Sequence, residues 1–197
     1  MRIITGRLKG MNLFSPKNMD VRPTADRVKE SVFNILGNSF YDAKVLDLFA
    51  GSGNLGLEAW SRGAQTVHFV DQSKQSLLLL GRNLEKAKVQ EQVTVHKGDA
   101  INIIKKLFVS NKKFDYIFCD PPYNCGYVQK VLSCIAQYDI LEDGGLIIVE
   151  HNKEEVIDLS GVYKLELLRI EKYGDTVVTF LKKAFRSDSF AQSDLPR

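Results

Sequence analysis

An aspartate followed by two prolines and a tyrosine, Asp120-Pro121-Pro122-Tyr123, closes the apolar run Tyr116-Ile117-Phe118-Cys119. Proline fixes φ and carries no N–H. The segment therefore presents acceptors, the Asp120 carboxylate and nearby backbone carbonyls, with Tyr123 beside them. Such a group suits a planar exocyclic amine, whose N–H groups it can accept while the tyrosine ring stacks on the base that carries the amine. A proline turn with an incidental tyrosine would show the same four residues, so the motif has to be weighed with the rest of the chain.

A second constellation lies upstream. Val45-Leu46-Asp47-Leu48-Phe49-Ala50 reads as a buried strand and runs into Gly51-Ser52-Gly53-Asn54-Leu55-Gly56, a G-x-G-x-x-G loop ahead of a helical pattern. Asp71 ends the next strand, 20 residues past Gly51. A carboxylate at that interval can take both hydroxyls of a ribose. Asp47, four residues before Gly51, decides which ribose-bearing ligand is favoured. Its charge would repel a dinucleotide pyrophosphate and attract a ligand with an ammonium and a sulfonium, which points to S-adenosyl-L-methionine. The plainer role for Asp47 is to cap the loop by accepting its N–H groups.

Asp99, in Lys97-Gly98-Asp99-Ala100, could receive an adenine amine, although helix N-capping alone would explain it. Asp47, Asp71, Asp99 and Asp120 would then line one carboxyl edge of a sheet, where open α/β folds bind ligands. The candidate cofactor residues are Asp47, Phe49, Gly51, Gly53, Asn54, Asp71, Asp99 and Ala100. The candidate catalytic residues are Asp120, Pro121 and Tyr123.

The elements that must position them alternate along the chain. Strands end near Asp47, Asp71, Asp99, Asp120 and Val149, with helical patterns between them, one starting behind a Ser73 N-cap. Tyr163 to Lys172 and Thr176 to Leu181 flank Gly174-Asp175 as a hairpin. The fold expected is α/β: a doubly wound, Rossmann-like sheet, mostly parallel, with an antiparallel C-terminal hairpin. At 197 residues and 44% apolar content, residues 1–183 are expected to form one domain, and 184–197 a disordered tail. The absence of a long apolar window predicts a soluble, cytoplasmic protein with no membrane association, and nothing requires more than a monomer. Cys119, Cys125 and Cys134 read as reduced thiols, and His68, His96 and His151, on separate elements, as structural or solvent-facing groups with no metal site.

The N-terminal part stands apart in charge. Its first 34 residues hold seven basic residues against three acidic, a net +4 in a chain of +3. Arg2 to Leu8 and Met11 to Phe14 suggest a hairpin, followed by a helix that Thr24 would cap and that turns Val28, Val32, Ile35 and Leu36 inward. This basic hairpin and helix, residues 1–38, is expected to hold RNA phosphates through Arg2, Arg7, Lys9, Arg22 and Arg27.

With these motifs the chain resembles the RsmD-like family of 16S rRNA guanine-N2 methyltransferases, within the class I S-adenosylmethionine-dependent fold. The resemblance rests on Arg22-Pro23-Thr24 with Asp26-Arg27-Val28 and Phe33-Asn34, on Leu46 to Gly53 with Leu55-Gly56-Leu57-Glu58-Ala59 and Ser61-Arg62-Gly63-Ala64, and on Asp120-Pro121-Pro122-Tyr123. It spans roughly residues 1–182, with Asn54 and the tail departing from the family pattern. It implies methyl transfer to one guanosine of 16S rRNA, in a partly or fully assembled small ribosomal subunit. Alternatives are an adenine-N6 methyltransferase acting on DNA or RNA, a non-catalytic RNA-binding assembly factor, and a nicotinamide-dependent oxidoreductase. The last lacks a Tyr-x-x-x-Lys or catalytic histidine arrangement.

Overall fold

The computed structural model describes residues 1–15, 23–37, 40–122, 126–162 and 164–184, the side chains of 23–25 excepted. Arg22, Tyr123, Cys125 and the tail from 185 onward lie outside the described residues.

Seven strands form one sheet: β1 (Lys44–Asp47), β2 (Thr66–Asp71), β3 (Thr94–Lys97), β4 (Phe114–Cys119), β5 (Leu141–Asn152), β6 (Leu165–Tyr173) and β7 (Thr176–Lys183). Their order is β3-β2-β1-β4-β5-β7-β6. The first five pair in parallel, while β7 runs antiparallel to both β5 and β6. The strand order reverses between β1 and β4, which makes that crevice the topological switch point. The doubly wound fold with its C-terminal hairpin is therefore as the strand and turn patterns indicate.

Among the described residues five α-helices cover the sheet: α1 (Pro23–Leu36), α2 (Asn54–Ser61), α3 (Lys74–Ala87), α4 (Ala100–Val109) and α5 (Tyr127–Tyr138). Successive strand residues point to opposite faces, and each face has its own core. Val45, Phe69 and Phe118 pack with Phe33 of α1, Leu57 of α2 and Leu80 of α3. Leu46, Val70 and Ile117 pack with Ile104 of α4 and Val131 and Leu132 of α5. Because both faces are covered, Val45-Leu46 of β1 and Tyr116 to Cys119 of β4 are apolar at successive positions.

Two N-terminal expectations change in detail. The hairpin is shorter than Arg2 to Phe14 suggests, with a single antiparallel bridge between Arg2 and Asn12. Residues 5–10 turn instead against the end of α2, where Arg7 N–H donates to Ser61 O at 2.8 Å and Leu8 N–H to Ser61 Oγ at 2.9 Å. Gly6 has φ +84°, and a Cβ there would lie 1.8 Å from Ser61 O, so no larger residue fits. Helix α1 begins one residue before Thr24, with Pro23 at its first position, where a missing N–H costs nothing.

What fastens this segment to the sheet is Glu58, a fully buried carboxylate on α2. It accepts the N–H groups of Ile4 at 2.7 Å and Thr5 at 3.1 Å, and pairs with Lys29 Nζ at 3.3 Å and Arg62 Nε at 3.0 Å. Lys29, counted in the sequence among the basic charges, is 2% exposed and also donates to Arg2 O and Asn54 Oδ1. Burial lowers the Lys29 ammonium below its ordinary value even with Glu58 opposing the shift. Lys29 is thus part of the framework and not of an RNA-facing surface.

Glu58→Ala would strand two buried cations and two backbone N–H groups. We expect it to cost about 3–5 kcal/mol in urea unfolding, against about 0–1 kcal/mol for Glu142→Ala, which breaks the exposed Lys44–Glu142 pair. Equal losses for the two variants would remove Glu58 from its central role.

Candidate active site

The carboxyl ends of β1 to β4 open on a cleft of about 530 Å³ at the switch point. Leu48, Phe49 and Gly51 enter it after β1, Asp71, Gln72, Ser73 and Ser76 after β2, Gly98, Asp99 and Ala100 after β3, and Asp120, Pro121 and Pro122 after β4. Three of these residues are acids, and none is Lys, Arg or His. A pyrophosphate would meet only like charge here, whereas a cationic ligand meets attraction.

Asp71 and Asp99 are each held by the backbone at a strand end. Asp71 Oδ2 accepts Gly51 N–H at 2.9 Å and its Oδ1 accepts Ser73 N–H at 2.8 Å, so this acid and the glycine loop orient each other. Ser73 in turn caps α3, its hydroxyl accepting from Ser76 N. Asp99 caps α4 through Asn102 N–H at 3.2 Å, and its Oδ2 accepts the Tyr127 hydroxyl at 3.0 Å. Capping and pocket lining are therefore both true of Asp99. A carboxylate oxygen carries two lone pairs, so these bonds leave acceptor capacity for a ligand.

Asp47 takes the plainer of its two roles. It is 2% exposed, does not line the cleft, and accepts Gly56 N–H with Oδ2 at 3.0 Å beneath the loop. Burial raises its carboxyl to about 7, with the Asp71 charge adding to the shift. The glycines divide the work similarly. Gly51 lines the cleft, while a Cβ on Gly53 would lie 2.5 Å from Leu80 Cδ1 and one on Gly56 would lie 2.2 Å from Phe69 Cε1. Gly53, with φ +84°, and Gly56 serve close packing. Asn54 is also displaced from its expected place: its side chain turns to Lys29 at 2.8 Å, and it is not among the cleft residues.

At the far end, Asp120 is open to the cleft yet closely surrounded by protein, and Pro121 beside it is buried. Its carboxyl is pushed well above the ordinary range by desolvation, with Glu150 and Asp47 contributing like charge. Beneath it, burial raises the Cys119 thiol, which keeps it protonated and inert.

Of the candidate RNA contacts, Arg2, Arg7, Lys9 and Arg27 are all exposed. Arg7 lies over the Trp60 ring, 5.4 Å from its centroid. Two residues escaped the sequence reading. Tyr127 reaches Asp99 across 28 positions, and fully buried Asn83 ties Phe14 to the Ser52 carbonyl. Neither spacing carries a recognisable signal. The histidines lie on three separate strands, as expected, and make structural contacts. His68 Nδ1 and His96 Nε2 meet at 3.0 Å across neighbouring strands, and His68 lines a cavity of about 400 Å³ at the opposite edge of the sheet. His68 is lowered to about 4, chiefly by burial, with His96 and Lys112 contributing to the same shift. His151 is buried, with Nε2 2.9 Å from Thr179 Oγ1.

Asp47 sets a pH dependence whose sign is fixed. Its folded value lies above the ordinary 3.8, so the stability it contributes is full below pH 4 and is lost as pH rises through about 7. Asn at that position does not titrate. From pH 4 to pH 8 the stability of the native protein relative to Asp47→Asn should fall by roughly 3–4 kcal/mol, measured by urea unfolding. A difference independent of pH would mean that Asp47 ionises normally.

A family model described as Conserved hypothetical protein 95 matches residues 1–182. A Bacillus subtilis protein named as a candidate rRNA methyltransferase, YlbH, is 38% identical over 183 residues, covering 93% of this chain and 99% of that protein. Ribosomal RNA small subunit methyltransferase D of Escherichia coli strain K12 is 34% identical over 154 residues, covering 78% of this chain and 76% of its own length. Among solved structures, the candidate methyltransferase yhhF of Escherichia coli superposes with a TM-score of 0.78 at 30% identity, covering 93% of this chain and 97% of the other. The fold, the glycine loop over an acidic cleft and these likenesses agree: the chain belongs to the Conserved hypothetical protein 95 family, the RsmD-like group that its motifs resemble.

Proposed function

We propose that this protein transfers a methyl group from S-adenosyl-L-methionine to the exocyclic N2 amine of a guanosine in 16S rRNA. The observation that carries this reading is the cleft at the switch point, which among the described residues sets three carboxylates and no cation around a space of about 530 Å³. That charge pattern fits a phosphate-free, cationic cofactor and opposes the oxidoreductase alternative. The relatives named as rRNA methyltransferases support RNA as the substrate class.

Within this reading, Asp71 holds the ribose hydroxyls and Asp99 the adenine amine, with Phe49 and Ala100 forming apolar walls. The bound cofactor supplies an electrophilic methyl group on a sulfonium. Asp120 and the Pro121 carbonyl accept the N–H groups of the guanine amine, a poor nucleophile whose lone pair is delocalised into the ring. These bonds orient the lone pair and stabilise the positive charge that develops on nitrogen. As the N–C bond forms, the surplus proton leaves the amine. Asp120 is suited to receive it, because its raised pKa makes the ionised carboxylate a stronger base. Tyr123 is assigned the stacking role that its place in the motif suggests. Holding amine and methyl donor in line supplies much of the rate by proximity. The substrate is taken to be a partly or fully assembled small subunit, and the protein a cytoplasmic monomer. No helix among the described residues is long and apolar enough to cross a membrane.

The test is transfer of labelled methyl to small subunits lacking their native modifications, followed by nucleoside analysis. N2-methylguanosine is the expected product, and N6-methyladenosine would move the assignment to the adenine alternative. Tight cofactor binding without any transfer would favour an assembly factor. Asp120→Ala should lower the transfer rate about 100- to 1,000-fold while cofactor affinity changes little. A comparable loss of cofactor affinity would show that Asp120 belongs to the cofactor site instead. Arg7→Glu with Lys9→Glu should weaken subunit binding and flatten its salt dependence, and an unchanged salt slope would remove the N-terminal segment from the RNA interface.

A further inference from the structure

Helix α3 carries two cations one turn apart, Arg82 and Lys86, and both converge on one ring. The Arg82 guanidinium carbon lies 4.2 Å from the Phe14 ring centroid, and Lys86 Nζ lies 4.9 Å from it. Phe14 is 38% exposed, and both cations are on the surface. Like charges at i and i+4 repel, and bringing them to a single ring increases that repulsion. No ion pair found among the described residues includes either one.

The contrast with Arg62 is informative. Arg62 also lies over a phenylalanine, Phe33, at 4.8 Å, but its Nε is paired with Glu58. That stack has its anion built in, and the stack on Phe14 does not. Cation–π contact with Phe14 and the bond from Lys86 Nζ to Asn12 O at 2.7 Å restrict both side chains in advance. A guanidinium stacked by its face keeps its N–H edge for bidentate contact with an anion, and an ammonium keeps further donors. Two restrained cations of this kind suit a phosphate diester.

The position bears on the cleft. Asn83, between the two cations on α3, accepts Phe14 N–H with Oδ1 at 2.8 Å and donates through Nδ2 to Phe14 O at 3.0 Å and Ser52 O at 2.8 Å. Ser52 sits in the glycine loop between Gly51 and Gly53. Phe14 is thereby tied to the cofactor loop through one fully buried amide.

We propose that Phe14, Arg82 and Lys86 form a docking site for a backbone phosphate of the RNA substrate, held in fixed relation to the cofactor loop by Asn83. The proposal rests on the reading that the substrate is RNA. It adds a helix outside the basic N-terminal segment to the interface, and it assigns Phe14 the task of aiming the two cations.

The experiment uses the full-length protein and small subunits lacking their native modifications. Subunit affinity is measured against salt concentration for the native protein, for Arg82→Ala with Lys86→Ala, and for Phe14→Leu. S-adenosyl-L-methionine affinity and thermal midpoint are measured for each. The double variant should bind subunits about tenfold more weakly near 0.15 M salt, with its log–log salt slope shallower by about 1–2, and keep its cofactor affinity. Phe14→Leu keeps both charges and the apolar cover, so it should weaken binding less and leave the slope near that of the native protein. A double variant with native affinity and slope would overturn the docking site while leaving methylation of the subunit standing. Loss of cofactor affinity or of folding in step with subunit affinity, in both the double variant and Phe14→Leu, would also overturn it by showing a purely structural role. A native protein that binds cofactor but neither binds nor methylates subunits would instead refute the RNA reading, and the docking site with it.

Discussion

Where a strand turns into a helix, backbone N–H groups are left without partners, and in this protein strand-end carboxylates accept them. Asp47 takes the N–H of Gly56, Asp71 those of Gly51 and Ser73, and Asp99 that of Asn102. The bonds from Gly56, Ser73 and Asn102 span nine residues or fewer, the one from Gly51 to Asp71 joins two strand ends 20 residues apart, and the parallel sheet brings all three strand ends to the same edge. Asp71 and Asp99, which close their loops, therefore also give the cleft its charge, while Asp47 stays buried beneath it. An unpaired buried N–H is costly, so a change that removed the negative charge would also loosen the turns.

The same economy governs the N-terminal segment. A chain of about fifteen residues with one bridge to itself has too little apolar surface to hold its own shape. It is ordered because α2 offers Glu58 and Ser61 to its N–H groups and because Ile3 and Leu13 bury against the common core. Glu58 also neutralises Lys29 and Arg62, so α1, α2 and the N-terminal strand pair meet at one buried anion. A basic segment placed by such an anchor can present Arg2, Arg7 and Lys9 to solvent in fixed positions. The result is an acidic cleft beside a basic surface, a division of charge that suits a cationic cofactor and a polyanionic substrate.

Asp120 shows how the fold tunes a group it leaves accessible. Its carboxyl opens on the cleft, but the surrounding protein and the charges of Glu150 and Asp47 disfavour ionisation. Glu150 is on β5 and Asp47 on β1, so this arises from strand order, since β4 lies between β1 and β5. A lone Asp-Pro-Pro turn would not have that property.

The alternation of apolar runs with helical periods, together with the glycine loop and the strand-end acids, was enough to read the doubly wound sheet and the edge that carries its cleft. These are signals of short range, set by the pleat, the helical repeat and the conformational limits of Gly and Pro. The same local view left Asp47 and Asp99 between capping and ligand contact, and assigned Asn54 to the cofactor when its side chain turns to Lys29. It counted Lys29 among the basic charges of the N-terminal part without the Glu58 that holds it in the core, and it put His68 and His96 on separate elements without the contact that adjacent strands give their rings. The link from Asn83 to Phe14 and Ser52 spans 69 and 31 positions, and that from Tyr127 to Asp99 spans 28. The sequence alone determined which residues could do chemistry and which edge of the sheet would gather them. Tertiary structure decided which of them face the cleft and which are consumed in holding it, because a polar side chain goes to whichever distant partner removes its burial penalty, and local pattern does not encode that partner.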